Sequence, residues 1–458
     1  MARLLFAMGL LLACRLGAAD VWHGTLSVGG GKLTLVLRAE GKTVTMDVPE
    51  QGAKGIPVTV FAIRKGELRF EVRPLGASFV GKLNAAGTRA TGVFRQSGLE
   101  LPLTLERGEP KIERPRRPQT PVPPFPYDVE EVQFDNPEAT GVRLAGTLTK
   151  PAGQGPFPCV VMITGSGPQD RDETLFDHKP FAVWADALAK AGVASLRYDD
   201  RGVGKSTGLF TAATSDDFAS DAKAAVRYLL SRPDIDRKRI GLMGHSEGGL
   251  IAPIAADGNP DVTFVVLLAG TAVPGREILV LQSRLIAEAE GASPEEARKA
   301  AELNEALVAA VLSEEDRDKA EQAALAVLEA RIGEVPEKDR EAALAARKRQ
   351  VAQLNTPWMR RFLVLDPSEY LRRLKVPVLA VWGENDLQVP PSQNLPAARE
   401  ALAGNPRAEL KVLSMLNHLF QLSATGRFSD YGRIEETVNE IALREVVGWI
   451  VRTTGAKP

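Results

Sequence analysis

A doubly wound α/β domain preceded by a small all-β domain is the fold class this sequence predicts. Three observations carry it. Beyond residue 127, short near-continuous apolar runs alternate with amphipathic stretches, as expected for parallel strands covered by helices on both faces. Before residue 108, segments of alternating polar and apolar residues are separated by glycine turns. Between apolar residues 239–242 and 250–256 stands Met243-Gly244-His245-Ser246-Glu247-Gly248-Gly249, a tight turn joining a strand to a helix.

At 458 residues the chain exceeds one core, so two or three domains are expected. A formal net charge of -1 provides no global field for nucleic acid or an anionic membrane. Two cysteines, Cys14 and Cys159, exclude a disulfide framework and a cysteine metal site. His23, His178, His245 and His418 are scattered without ligand-like spacing, so no metal is implied.

Residues 1–19 read as a secretory signal: Arg3, an apolar run at 4–13 too short to span a membrane, and Gly17-Ala18-Ala19 as a cleavage site. Export to the periplasm or medium follows. Leu11-Leu12-Ala13-Cys14 also resembles a lipobox, which makes a lipoprotein anchored at Cys14 the alternative. No later segment is long and apolar enough to span a bilayer. Residues 20–108 form the all-β module, with strands at 25–28, 32–37, 42–46, 67–72 and 102–105, as a small sandwich or barrel. Its Trp22, His23 and Asp47 are read as structural. Residues 109–126, rich in proline and arginine, read as a semi-rigid extended linker.

From 127 to 458 a hairpin at 129–134 and 142–148 leads into the α/β domain. Its strands fall at 159–164, 193–198, 239–243, 264–268, 377–382 and 409–413. Its helices fall at 180–191, 216–231, 250–256, 391–403 and 435–452. Residues 275–374 interrupt the alternation. They are alanine- and charge-rich, with a capping box at Ser293-Pro294-Glu295-Glu296 and a second helix start at Ser313-Glu314-Glu315-Asp316. An insertion between two sheet strands sits above their carboxyl ends, so it reads as a helical cap, and the strand pattern is complete without it.

The turn at Gly244-His245-Ser246-Glu247-Gly248 is a nucleophile elbow, with Ser246 exposed at the sheet edge. A serine hydroxyl needs a base and a group to orient that base. His418 follows the last strand and Asp386 the one before it, giving the order Ser246, Asp386, His418. Glu384 is the competing acid; Asp386 lies farther along its loop. The Glu247 N–H at the helix start and the Ser166 N–H in Gly165-Ser166-Gly167-Pro168-Gln169-Asp170 are the expected oxyanion donors. Asp199-Asp200-Arg201-Gly202-Val203-Gly204-Lys205-Ser206 ends like a phosphate-binding loop, but Asp199 stands where glycine is required, so it reads as a structural loop.

From about Tyr127 onward the chain resembles bacterial serine α/β hydrolases of the esterase and serine-aminopeptidase-like kind. The motifs are Gly165 to Asp172, Asp199 to Ser206, Gly244 to Gly248, Gly383-Glu384-Asn385-Asp386 and Asn417-His418-Leu419-Phe420. The resemblance implies Ser246 as nucleophile, His418 as base then acid, and Asp386 as its orienter. Thr164 stands where members often carry a histidine that braces the oxyanion loop. The stretch Gln51-Gly52-Ala53-Lys54-Gly55-Ile56-Pro57 is similar to a module preceding such hydrolases in exported proteins.

The expected function is hydrolysis of a small-molecule carboxylic ester through an acyl-enzyme, needing no metal or organic cofactor. Peptide or amide hydrolysis and acyl transfer use the same residues. A noncatalytic envelope-binding protein is the reading from another class; the complete serine, acid and histidine set stands against it. Nothing in the sequence sets the oligomeric state.

Overall fold

The structure is a computed structural model. It describes residues 20–457 apart from 29–30, 42, 50–52, 97–98, 112–114, 335–336 and 338–339. The expected signal at 1–19, with Cys14, lies outside the described residues. The chain divides into two compact units, residues 1–114 with 338–343, and residues 115–337 with 344–458.

The first unit is a single antiparallel sheet of β1 (Asp20–Val28), β2 (Gly31–Glu40), β3 (Thr43–Val48), β4 (Ala53–Pro57), β5 (Val60–Arg64), β6 (Glu67–Val72), β7 (Ala77–Leu83), β8 (Arg89–Gln96) and β9 (Leu99–Arg107). The order is β4-β3-β2-β1-β9-β8-β7-β6-β5. Its edge strands, β4 and β5, are joined only by residues 58–59. Val58 N–H bonds Val44 O at 2.9 Å and Thr59 N–H bonds Glu71 O at 2.8 Å. One chain segment thus ties both edges and rolls the sheet around Trp22, Leu37, Leu68, Phe70 and Phe79, the barrel form of the expected module. Strands β7 and β8 escape sequence reading because Gly81 and Gly92, paired across them, look like turn residues; a Cβ at Gly92 would lie 2.0 Å from Val80 O.

The second unit contains, in chain order, β10 (Asp128–Asp135), β11 (Arg143–Lys150), β12 (Phe157–Ile163), α1 (Pro180–Lys190), β13 (Ala194–Tyr198), α2 (Ser215–Leu230), β14 (Ile235–His245), α3 (Gly248–Ala256) and β15 (Phe264–Leu268). Helices α4 (Gly275–Ala289), α5 (Pro294–Leu312), α6 (Arg317–Arg331), α7 (Arg340–Leu354, which belongs to this unit from Leu344), α8 (Pro357–Val364) and α9 (Pro367–Arg373) follow. The chain closes with β16 (Val378–Gly383), α10 (Pro391–Ala401), β17 (Ala408–Leu413) and α11 (Glu440–Thr454). The sheet order is β10-β11-β13-β12-β14-β15-β16-β17, parallel from β13 to β17 with β10 and β11 antiparallel at one edge. This is the α/β-hydrolase arrangement. Along β12, Val161 and Ile163 enter the core on one face while Val160 and Met162 enter the other, so the strand reads as a continuous apolar run. Among the described residues no helix is long and apolar enough to cross a membrane.

Four sequence expectations need correction. The expected linker at 109–126 is divided: from Pro115 it belongs to the second unit. Arg117 donates to the carbonyls of Phe176, Gly432 and Ile434, each at 2.8 Å, and Gln119 Nε2 donates to Val438 O at 2.6 Å. The helix expected from 435 begins only at Glu440, because Gln119 holds the backbone at Val438 and the Asn439 side chain caps the first turn through Ile441 N–H. The insertion also ends earlier than 374. Helix α9 packs beside α3 and α10 and supplies the crossover that joins parallel β15 to β16. Phe362, Leu365, Leu371 and Leu374 share the sheet's own core, whereas α5 to α7 have a small separate one around Leu307, Val311, Leu328 and Val351. The capping box at Ser293 is present, with Ser293 and Glu296 bonding reciprocally, but the second helix start expected at Ser313 lies later: Ser313 closes α5, and Asp316 caps α6 by accepting from the N–H groups of Asp318 and Lys319.

Candidate active site

Ser246 follows directly on β14 with φ 55°, in the left-handed region a non-glycine residue rarely occupies. The turn closes because its glycines carry no Cβ: one at Gly244 would lie 1.9 Å from Gly248 O, and one at Gly248 would lie 2.2 Å from Ile163 O. Ser246 N–H bonds Leu268 O at 2.8 Å, which fixes the elbow against β15.

His418 is presented by a loop folded around Asn417, whose Oδ1 accepts from the N–H groups of Leu419 and Gln421. Its Nδ1 lies 2.8 Å from Asp386 Oδ2. Asp386 is 1 % exposed, and its Oδ1 accepts from the N–H groups of Gln388 and Val389 at 2.8 and 2.9 Å. With Oδ1 filled by the two backbone donors, Oδ2 faces Nδ1 as an acceptor, which places the imidazole hydrogen on Nδ1 and leaves Nε2 as the ring's acceptor. The competing Glu384 is exposed and accepts from Met415 N–H instead. Ser246 and His418 line one cavity of about 320 Å³, together with Ser166, Glu173, His245 and Glu247.

The two expected oxyanion donors are brought together through side chains as well. Ser166 Oγ donates to Glu247 Oε2 at 2.9 Å, and among the described residues no acceptor takes the N–H of Ser166 or of Glu247. Glu247 Oε1 accepts from Ser215 Oγ at the start of α2 (2.7 Å) and from Trp358 Nε1 of α8 (2.8 Å). Burial pushes this carboxyl up, opposed by its three donors. Where a histidine was expected, Thr164 Oγ1 donates to Asp200 Oδ1 at 2.8 Å, and Gln169 N–H donates to Asp200 Oδ2 at 2.9 Å. The 199–206 loop is structural, as read: Asp199 accepts from Arg171 and from Lys205 N–H, and Arg201 pairs with Asp221.

Burial raises the Asp200 carboxyl to about 8, against the donors Gln169 and Thr164, with Glu247 and Asp221 adding to the rise. Between the ordinary carboxyl range and pH 8 the native state therefore holds a proton that the unfolded chain has lost. Stability falls as pH rises through that window. The Tm should decline from pH 5 to pH 9, and Asp200→Asn should flatten that decline, each kcal/mol being worth about 2 °C in a domain this large. Parallel declines for both proteins, measured by thermal melts across pH, would remove Asp200 as the cause.

Residues 140–412 match the model of the X-Pro dipeptidyl-peptidase (S15) family. The chain belongs to the S15 family. This S15 chain is also similar to esterase EstD of Thermotoga maritima, with 28% identity over 329 residues, 72% of this chain and 70% of that one. It shares 33% identity over 150 residues with thiohydrolase apmlB of Arthrinium phaeospermum, 32% of this chain and 44% of that one. Among solved structures it is similar to a Pyrococcus furiosus esterase at 16% identity, covering 76% of this chain and 100% of that one with a TM-score of 0.44. Family and relatives make the S15 chain a serine hydrolase.

Sequence reading missed Glu173, His245 and Trp358 as parts of this site. Glu173 stands one residue beyond a quoted motif and His245 lies inside one, but their pairing across 72 residues leaves no local pattern. Trp358 lies in an amphipathic stretch where an aromatic reads as core.

Proposed function

We propose that this S15-family protein is a carboxylesterase for uncharged substrates, acting through an acyl-enzyme on Ser246. The observation that carries this reading is the chemistry of the cavity wall. Leu175, Ile278, Met359, Phe362, Val389 and Leu419 supply apolar surface, and Gln169, Gln282 and Gln388 supply neutral polarity. Its two carboxylates, Glu173 and Glu247, are 5 % and 2 % exposed: Glu247 takes three side-chain donors, and Glu173 is turned away to Gly165 N–H and His245 through Oε1, with Oε2 buried. A dipeptidyl-peptidase must hold the ammonium of a peptide N-terminus, which calls for an accessible unpaired carboxylate. An ester makes no such demand.

In this reading Ser246 Oγ attacks the ester carbonyl as His418 Nε2 takes its proton. The oxyanion is received by the N–H groups of Ser166 and Glu247, a contribution of about 10²–10³ per donor in rate. Collapse expels the alcohol, protonated by His418. Water, deprotonated by the same nitrogen, then releases the acid and frees Ser246. Helices α4 and α8 form a substrate cap, since Ile278, Leu279, Gln282, Trp358, Met359 and Phe362 reach the cavity from the insertion.

The family match favours peptide or amide hydrolysis as the second reading. A panel of nitrophenyl esters from two to twelve acyl carbons, with X-Pro and single-residue amides, separates the two. Esters of short to medium chain should exceed every amide in kcat/KM. Met359→Ala should move the optimum to longer acyl groups, each extra methylene accepted being worth about tenfold. X-Pro amides turned over faster than any ester would replace this reading with the peptidase one.

A further inference from the structure

Behind the nucleophile lies a second carboxylate–imidazole pair, outside the serine, histidine and aspartate set. Glu173 Oε1 lies 2.9 Å from His245 Nδ1 and also accepts from Gly165 N–H at 2.7 Å. His245 Nε2 lies 3.0 Å from the carbonyl oxygen of His418. The His245 and His418 rings are 4.8 Å apart. These contacts join the loop carrying Ser166, the elbow carrying Ser246 and the loop carrying His418.

Counting donors and acceptors favours one state of the pair. A peptide carbonyl only accepts, so Nε2 must carry a hydrogen. Glu173 Oε1 meets both Gly165 N–H and His245 Nδ1, and two donors converging on one oxygen suit a carboxylate with the hydrogen on Nδ1. Both ring nitrogens then donate, and His245 is an imidazolium beside a carboxylate. The rest of the site agrees. Glu173 is buried and among the described residues its Oε2 has no hydrogen-bond partner, so a charge on this side chain can be balanced only by a neighbour, and His245 is the one in contact. Burial lowers the affinity of His245 for its second proton, but Glu173, the His418 carbonyl and Asp386 outweigh it, and the group ends above its ordinary value. Glu173 is itself held at φ 52°, in a turn in which Asp170 Oδ1 accepts from the N–H groups of Asp172 and Thr174. Strain of that kind persists only where the surroundings over-determine it.

We propose that Glu173 and His245 are positioning residues, an ion pair that holds the oxyanion loop, the elbow and the base loop in one register. The proposal rests on the serine-hydrolase reading of Ser246 and His418. The titratable groups facing the pair are His418 and Asp386, from the loops after β17 and β16, and Glu247 at the start of α3.

The test uses Glu173→Gln, which keeps shape and removes charge. A neutral His245 beside glutamine cannot make all three bonds: Nδ1–H to the amide oxygen forfeits His418 O, and Nε2–H to His418 O leaves Nδ1 facing an oxygen. At pH 8, kcat on an ester should fall about 10- to 100-fold, the cost of a small misplacement of reacting groups, with KM within about threefold. As pH falls toward 5.5 His245 regains its second proton and both bonds. The ratio of wild-type to variant kcat should then shrink. His245→Gln has no ring to recharge, so its loss at pH 8 should persist unchanged at pH 5.5. Wild-type kcat in either variant, or a ratio for Glu173→Gln independent of pH, overturns the proposal. Should Glu173→Gln fail to fold, His245→Gln alone decides it through kcat and its flat ratio. Full turnover in Ser246→Ala, measured first, would instead reject the serine-hydrolase reading.

Discussion

Ser246→Ala should reduce ester turnover by about 10⁶-fold while leaving the melting curve near that of the wild type. The size follows from what the hydroxyl does in the proposed reaction: it is the covalent partner, and no neighbour can replace it. Residual rate would come only from binding and the oxyanion donors, which survive the change. Folding should be untouched because the elbow is held by backbone contacts, Ser246 N–H to Leu268 O and Gly249 N–H to Ser246 O, that alanine retains. Relief of strain at φ 55° is not expected, since alanine is no more at ease there than serine. A fluorophosphonate should label the wild type at one residue and the variant at none. Labelling elsewhere in the variant, or turnover within tenfold of wild type, would remove Ser246 from the reaction.

His418→Ala should be equally severe, and Asp386→Asn should cost about 10⁴-fold. Asparagine at 386 can still accept from Gln388 and Val389 through its oxygen, but it then offers an amide N–H to Nδ1. The ring must turn its acceptor inward, and Nε2 can no longer take the serine proton. Glu384→Gln should be within twofold of wild type, because among the described residues that side chain bonds the N–H of Met415 and nothing of the site. Parallel kcat/KM measurements on the three variants decide the acid: an inactive Glu384→Gln beside an active Asp386→Asn would reverse the assignment.

What the sequence disclosed was whatever local pattern can encode. The elbow was legible because strand, glycine turn and helix are contiguous. Asp386 and His418 were legible because each stands just past an apolar strand, so strand order alone brings them to one edge. The tie of Arg117 to carbonyls more than 300 residues away was not, and the stretch therefore read as free linker. The same holds for Asp200 taking up Thr164, and for Glu173 meeting His245: each acid sits in a loop whose composition would suit a solvated turn. Helix α9 was absorbed into the insertion because a short amphipathic helix has no signature separating a cap from a crossover. The glycines of β7 and β8 misled in the opposite direction, since close packing of two strands and a reverse turn call for the same residue.

The indole of Trp358 on the carboxylate of Glu247 bears on how such an enzyme can diversify. The insertion looks like an exchangeable accessory, free to be traded among relatives to change what is hydrolysed. Yet it supplies one of three donors to a buried acid whose backbone N–H is proposed to receive the oxyanion, and α8, with α9 after it, completes the core beneath the sheet. Excising 275–374 would strand that acid and open the fold's own interior, so the segment is no detachable module. Any replacement must bring a hydrogen-bond donor to the same point. The freedom to change length and sequence lies in α5 to α7, which carry their own small core, whereas a change of specificity has to be written into the faces of α4 and α8 that line the cavity.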